Sequence, residues 1–156
     1  MAKKINRIVL MGGAIARGYE PGSKPDREWN IKSNPTAARA VFESGIPILM
    51  APLDVTAMLQ LDAAMRSRIF NQDTPVTNSL AALYHLWNHE TPTLFDPMAV
   101  ALVLDPALCE TKDLAVEVDD QGFTRVAEGK PANATAGLST DPARFFEFYL
   151  SRVAGK

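Results

Sequence analysis

The chain of 156 residues has one cysteine, Cys109, so no intrachain disulfide framework can form. Stability must come from a packed core, which fits a reducing compartment such as the cytoplasm. Cys109 is expected to act as a small apolar filler. No apolar run approaches the roughly 20 residues that cross a bilayer. The amino end, Ala2-Lys3-Lys4-Ile5-Asn6-Arg7, leads into a run too short for the core of a secretory signal. An excess of one charge is missing as well, with 16 Lys and Arg against 18 Asp and Glu. No basic stripe for nucleic acid and no patch for a membrane surface arises from that balance. Nor is there a phosphate-cradling glycine pattern, a Gly-x-Ser-x-Gly elbow or an internal repeat. Neutral small molecules are the partners left open.

What the chain does have is 47% hydrophobic residues arranged in short periodic runs, enough for one domain spanning 1–156. Ile8-Val9-Leu10-Met11, stopped by Gly12-Gly13, predicts a buried strand. A long loop is expected from Ala14 to Ser33, rich in Gly, Pro and charge, and loops of that length tend to be functional. Asn34-Pro35 opens a helix with Ala37, Ala38, Val41 and Phe42 on its apolar face and Gly45 at its end. Ile46 to Leu53 predicts a second strand, and Asp54 and Thr56 are expected to cap a helix running to about Arg68. A helix from Val76 to Asn88 should bury Leu80, Leu83, Tyr84 and Trp87. Another is expected over Pro97 to Leu104. Leu114 to Val118 alternates like a strand, Asp120-Gln121-Gly122 is a turn, and Phe123 to Val126 returns as a hairpin partner. Asp141-Pro142 caps a last helix carrying Phe145, Phe146, Phe148, Tyr149 and Val153. Strands alternating with helices give an α/β layer architecture, parallel at first and more antiparallel near the end.

Three groups of side chains bear on chemistry. Glu28 and Asn30 close the long loop; in an extended segment residues two apart project to one side, so the two can converge on a ligand. A carboxylate that accepts and a carboxamide that donates and accepts suit vicinal hydroxyls of a sugar, the alternative being a polar loop that only solvates itself. Asp96, in Leu94-Phe95-Asp96-Pro97, opens an apolar helix, either as its cap or as an oxygen ligand for a hard cation. His85 and His89, with Glu90, have helical spacing for zinc, but no third ligand accompanies them.

Taken in order, Met11-Gly12-Gly13-Ala14, Glu28-Trp29-Asn30-Ile31, Asn34-Pro35-Thr36-Ala37-Ala38, Pro52-Leu53-Asp54-Val55-Thr56 and Asp96-Pro97 resemble the inosine-uridine-preferring nucleoside hydrolase family from about Ile5 to Leu150. The resemblance implies a nucleoside hydrolase-like, Rossmann-like open sheet flanked by helices, incomplete relative to the full family fold, with this chain as its carboxyl-terminal half. It implies water-driven cleavage of the N-glycosidic bond of a ribonucleoside, assisted by calcium. Met11, Glu28 and Asn30 match substrate-binding positions and Asp96 a late calcium ligand. The family's amino-terminal Asp-rich motif, which supplies the general base and most calcium ligands, has no counterpart here. The catalytic residues are therefore unassigned. Calcium is expected only if those ligands come from an amino-terminal half chain or another subunit. Phe95 stands where the family has histidine, and Tyr19 stands near an expected ribose-binding asparagine. The expected partners are a ribonucleoside or related small glycoside, and an amino-terminal half chain or a homo-oligomer. The expectation in a different class is a non-catalytic sugar-binding pseudoenzyme or a truncated fragment.

Overall fold

A computed structural model gives the fold over residues 4–155; Ala2 and Lys3 of the signal-peptide reading lie outside the described residues. Strand β1 (Ile8–Met11) leads through a long loop into a short helix α1 (Trp29–Ser33), helix α2 (Pro35–Phe42) and β2 (Ile48–Ala51). Helices α3 (Leu53–Thr56), α4 (Ala63–Phe70), α5 (Pro75–Trp87) and α6 (Phe95–Leu104) follow. The chain closes with β3 (Cys109–Leu114), β4 (Val116–Val118), β5 (Thr124–Val126), β6 (Ala134–Thr140) and α7 (Pro142–Val153). The main sheet has the order β1-β2-β6-β3. β1, β2 and β6 run parallel, with Ile8 opposite Ile48 and Met11 opposite Ala51, while β3 is antiparallel to β6. The expected hairpin forms as β4 and β5.

Composition accounts for much of this arrangement. All four residues of β2 are buried, as a parallel strand covered on both faces must be, and Pro47 and Pro52 mark its margins, trimming the expected Ile46 to Leu53. Asn34 accepts from the Ala37 amide and caps α2 as its sequence requires. Asp141 caps α7 in the same way, and Phe145 and Phe146 enter the larger core with Leu49, Val55, Met98 and Leu102.

Four expectations need correction. The helix expected from Asp54 to Arg68 is two helices. α3 ends at Thr56, residues 57–62 form a connection that buries Ala57, Leu59 and Leu61 and is bridged to Thr93 through Gln60, and Asp62 caps α4. Asp54 and Thr56 are accordingly not caps of a long helix: Thr56 donates to the Pro52 carbonyl, and Asp54 holds the loop after β1. The loop from Ala14 to Ser33 ends in helix α1. The strand expected at Leu114 to Val118 is divided, Leu114 ending β3 and Val116–Val118 forming β4, and β6 lies outside every expected strand. β6 has no strand signature of its own because its Ala-Thr-Ala-Gly-Leu-Ser-Thr run is small, with Leu138 its one bulky apolar residue. The cause is close packing, since a Cβ on Gly137 would sit 3.2 Å from Val55 Cγ1 of α3. Finally, the stripe expected to bury α5 is largely in solvent, with Leu83 62% and Trp87 47% exposed.

Candidate active site

In open α/β sheets ligands bind beyond the carboxyl ends of the parallel strands. There the chain leaves β1 at Gly12-Gly13. Gly13 has φ +78°, and a Cβ would lie 2.4 Å from Met50 Cε and 2.9 Å from Thr124 Cγ2, so only glycine turns the backbone this close to β2. The loop beyond is held by three side chains from distant segments. Asp54 accepts from the amides of Ile15 and Ala16, each at 2.8 Å. Thr124 accepts from the Ala14 amide at 2.9 Å and donates to the Ala14 carbonyl at 2.8 Å. Glu28 accepts from Gly13 N at 3.1 Å.

Glu28 is only 2% exposed, and its carboxylate also accepts from the amides of Asn30 and Ile31, which makes it the N-cap of α1. It is therefore not a residue of an extended segment projecting beside Asn30. Three of about four acceptor positions are taken by backbone N–H groups, leaving one on Oε1, which receives only the Asn30 amide. Asn30, the second residue of α1, is exposed. Its Nδ2 donates to the Met11 carbonyl at 3.2 Å and to the Met11 sulfur at 3.4 Å. The sequence-derived trio of Met11, Glu28 and Asn30 thus converges, with Glu28 beneath and Asn30 at the surface.

Tyr19 joins the two parts of the site. Its ring meets that of Phe95 edge-on, with centroids 6.0 Å apart, and both pack with Met11 against Ala14, Leu53 and Ala57. The Tyr19 hydroxyl accepts from the Trp29 amide at 2.8 Å. Burial pushes the phenol above its ordinary pKa, opposed by that hydrogen bond and reinforced by the carboxylates of Glu28 and Asp26. Tyr19 is therefore a protonated hydroxyl at neutral pH. A cleft of about 360 Å³ opens beside this pair, lined also by Arg17, Met58, Gln60 and Thr93. The Arg17 Nε is buried there without a hydrogen-bond partner among the described residues.

Asp96 follows Phe95 in the first turn of α6, whose N-cap is Leu94, and its side chain is exposed. Among the described residues no group of three or more His, Cys, Asp or Glu could hold a metal ion. The residues present do not by themselves fit calcium, which takes six to eight oxygen ligands. The zinc spacing of His85 and His89 dissolves as well, because α5 ends at Trp87 and Asn88 turns left-handed, and the His89 ring packs at a tilt against Trp87.

Residues 1–147 match the family model described as inosine-uridine preferring nucleoside hydrolase. The chain belongs to that family. Pyrimidine-specific ribonucleoside hydrolases RihA from Shewanella sp. strain ANA-3 and from Citrobacter koseri are 38% and 35% identical to it. Each alignment covers 97% of this chain, against 52% and 54% of those relatives. Among solved structures, a purine-preferring ribonucleoside hydrolase from Gardnerella vaginalis superposes with a TM-score of 0.79 at 28% identity, over 96% of this chain and 52% of that one. A plant nucleoside hydrolase shares the fold with a TM-score of 0.82 at 21% identity, over 99% of this chain and 55% of that one. This family member thus spans about half the length of the relatives it matches. Its open sheet flanked by helices is a nucleoside hydrolase fold in part. Asp54 and Thr124, the loop anchors, carry no local sequence signal; only the Pro52-Leu53-Asp54-Val55-Thr56 match pointed to the first.

Proposed function

We infer that this chain supplies the sugar-holding part of a ribonucleoside N-ribohydrolase site, with Met11, Glu28 and Asn30 on the ribose and Asp96 as one carboxylate of a calcium site. The observation that carries this reading is the Asn30 amide, whose Nδ2 is fixed by Met11 at the mouth of the parallel sheet while the side chain stays exposed to a ligand. Glu28 holds the loop rigid and keeps one acceptor for a hydroxyl, so ordering the site costs little on binding. Calcium enters only with carboxylates from outside these 156 residues, and the group that activates water comes with them. The relatives are named for pyrimidine and for purine ribonucleosides, and Phe95 with Tyr19 gives the base an aromatic wall of its own.

The test is base release from uridine and inosine by the chain joined to the amino-terminal half of the Shewanella relative. The joined protein should hydrolyse at least one of them, and Asn30→Ala should lower kcat/KM by roughly 10²-fold, the effect of losing one well-placed polar contact. The isolated chain should release nothing. Release by the isolated chain, or none by a folded joined protein, would overturn the reading.

One observation favours a second function, a non-catalytic ribose-binding module: Phe95 has no proton to give a leaving base, and no acidic cluster stands beside it. Calorimetry on the isolated chain decides between the two. Ribose binding that is lost in Asn30→Ala and indifferent to calcium supports the module.

A further inference from the structure

The loop that leaves β1 carries a cation with no counter-ion among the described residues. Arg17 is half-buried, its Nε is enclosed without a hydrogen-bond partner, and it joins none of the ion pairs. A guanidinium does not shed its proton, so the charge and the unmet N–H both persist across the physiological range. The carboxylates around it are spent on backbone amides. Asp54 gives one oxygen to Ile15 and the other to Ala16, Asp26 receives the Tyr19 amide, and Glu28 receives those of Gly13, Asn30 and Ile31. Glu20, the remaining carboxylate of the loop, is exposed, where water weakens its pull.

Arg17 and Glu20 line the cleft of about 360 Å³ beside the Tyr19–Phe95 pair. Gln60 and Thr93 line it too, set next to each other by the bridge between their backbones, and add a carboxamide and a hydroxyl that can both donate. The two rings and the Met58 thioether make its apolar wall. Each part selects something in a ligand. A guanidinium presents parallel N–H groups that match the oxygens of a planar anion. Rings and a thioether favour a flat, polarisable body. The volume lies at the small end of the roughly 300–1,000 Å³ of small-molecule sites, which suits a ring and not a polymer.

We propose that this cleft binds a flat heterocycle bearing negative charge, with Arg17 as its charge partner, and that its occupant in turnover is the nucleobase as it departs. The second clause rests on the functional reading above, in which Tyr19 and Phe95 wall the base. Breaking the bond between C1′ and the ring nitrogen leaves the electron pair on the nucleobase. The water oxygen bonds C1′, and the water proton goes to the general base supplied from outside these residues. The departing ring is then an anion, since Phe95 has no proton to give it. Arg17, with Gln60 and Thr93 donating beside it, holds that charge through N–H and O–H bonds and transfers no proton. Charge that appears only as the bond breaks is stabilised in the transition state, so the effect falls on kcat more than on KM. The cleft accordingly favours nucleosides whose base spreads negative charge over ring carbonyls or a carboxylate.

The experiment begins with calorimetry on the whole chain, using orotate (a pyrimidine bearing a carboxylate), uracil (the same ring without it) and inorganic phosphate (an oxyanion without a ring). Orotate should bind about 10- to 100-fold tighter than uracil, the effect of one hydrogen bond to a charged group, and tighter than phosphate. Arg17→Met should erase that preference without lowering the melting temperature, because a donor with no partner gives way to an apolar chain. Arg17→Lys, which keeps the charge and loses the fork, should retain only part of it. Orotate that binds no better than uracil, or equally well to Arg17→Met, overturns the cleft, and phosphate binding as tight as orotate overturns its flat occupant. In the protein joined to the amino-terminal half of the Shewanella relative, Arg17→Met should lower kcat for uridine by about 10²-fold at similar KM. It should lower kcat far less for 4-nitrophenyl riboside, whose phenolate leaves without help. An equal loss on both substrates overturns the leaving-group role. A folded joined protein that releases no base sinks the functional reading, while orotate binding that depends on Arg17 leaves the anion cleft standing.

Discussion

The two edges of the four-stranded sheet are finished in different ways. β3 carries Glu110, Lys112 and Asp113, all exposed, and its register shifts between Glu110 and Thr111. Charges and an irregularity are how a sheet edge is made to face water. β1 is Ile-Val-Leu-Met, half-buried along its length, with no charge. One outward carbonyl on it is satisfied, by Asn30. An edge of the first kind ends a sheet; an edge of the second kind continues into protein. Met11 and Asn30 of the candidate site lie on the second.

The largest expected effect falls on the β1 side. Glu28→Ala strips three backbone N–H groups, those of Gly13 and Ile31 buried and that of Asn30 part-buried, of their acceptor, at about 1–3 kcal/mol for each buried group left unsatisfied. Water entering the vacated space offsets part of that, so a loss of about 3–5 kcal/mol is expected. Urea unfolding should show it, together with faster exchange in the loop after β1 and unchanged protection in β3. A loss below about 1 kcal/mol would mean that Glu28 does not anchor the loop.

Glu28 also shows where sequence reasoning stops. Its neighbourhood with Asn30 was legible as hydroxyl chemistry, and the ordered family match placed it on the ribose. That a helix starts at Trp29 was not legible, because five residues of Trp-Asn-Ile-Lys-Ser have no amphipathic period of their own, and what fixes them is the Glu28 cap. The same limit hid β6, whose small residues make sense only against α3. It misplaced Asp54, whose partners are the amides of Ile15 and Ala16, about forty positions away. It put the stripe of α5 inside, since periodicity identifies an apolar face but not what covers it. Elements set by local capping, such as α2 and α7, came out as expected.

Next in size is Gly13→Ala, at the end of the open edge. A left-handed backbone for alanine costs about 1–2 kcal/mol. Its Cβ would meet Met50 Cε at 2.4 Å, which can swing aside, and Thr124 at 2.9 Å, which is held by Ala14. A loss of about 2–4 kcal/mol in chemical unfolding is expected, larger than that of Gly137→Ala, whose nearest neighbours lie at 3.2–3.3 Å.

Smaller in energy but direct as a test of the contrast is Glu110→Val with Lys112→Val. Both side chains are exposed, so stability should move by no more than about 0.5 kcal/mol per site. The variant nevertheless leaves Asp113 as the one charge on β3, bringing that edge closer to the uncharged one of β1, and it should associate through that edge in sedimentation at concentrations where the parent does not. If it stays as dispersed as the parent, the charges on β3 are not what ends the sheet.

The smallest effect belongs to the closed side of the sheet. Cys109 opens β3, buried, with its Sγ 3.7 Å from Met98 Sδ. Burial raises its thiol from 9.0 to about 11, with a hydrogen bond from Thr140 acting the other way. The native state therefore keeps the proton longer than the unfolded chain does. This contribution to stability is intact below pH 9 and declines as pH rises from 9 toward 11. At pH 8 the thiolate is scarce and the sulfur is enclosed, so a thiol reagent should label the native protein only as fast as the β3 end opens, and label it at once in denaturant. Labelling of the folded protein at the rate of a free thiol would show that the β3 side is as loosely closed as β1, and the contrast between the two edges would lose its physical basis.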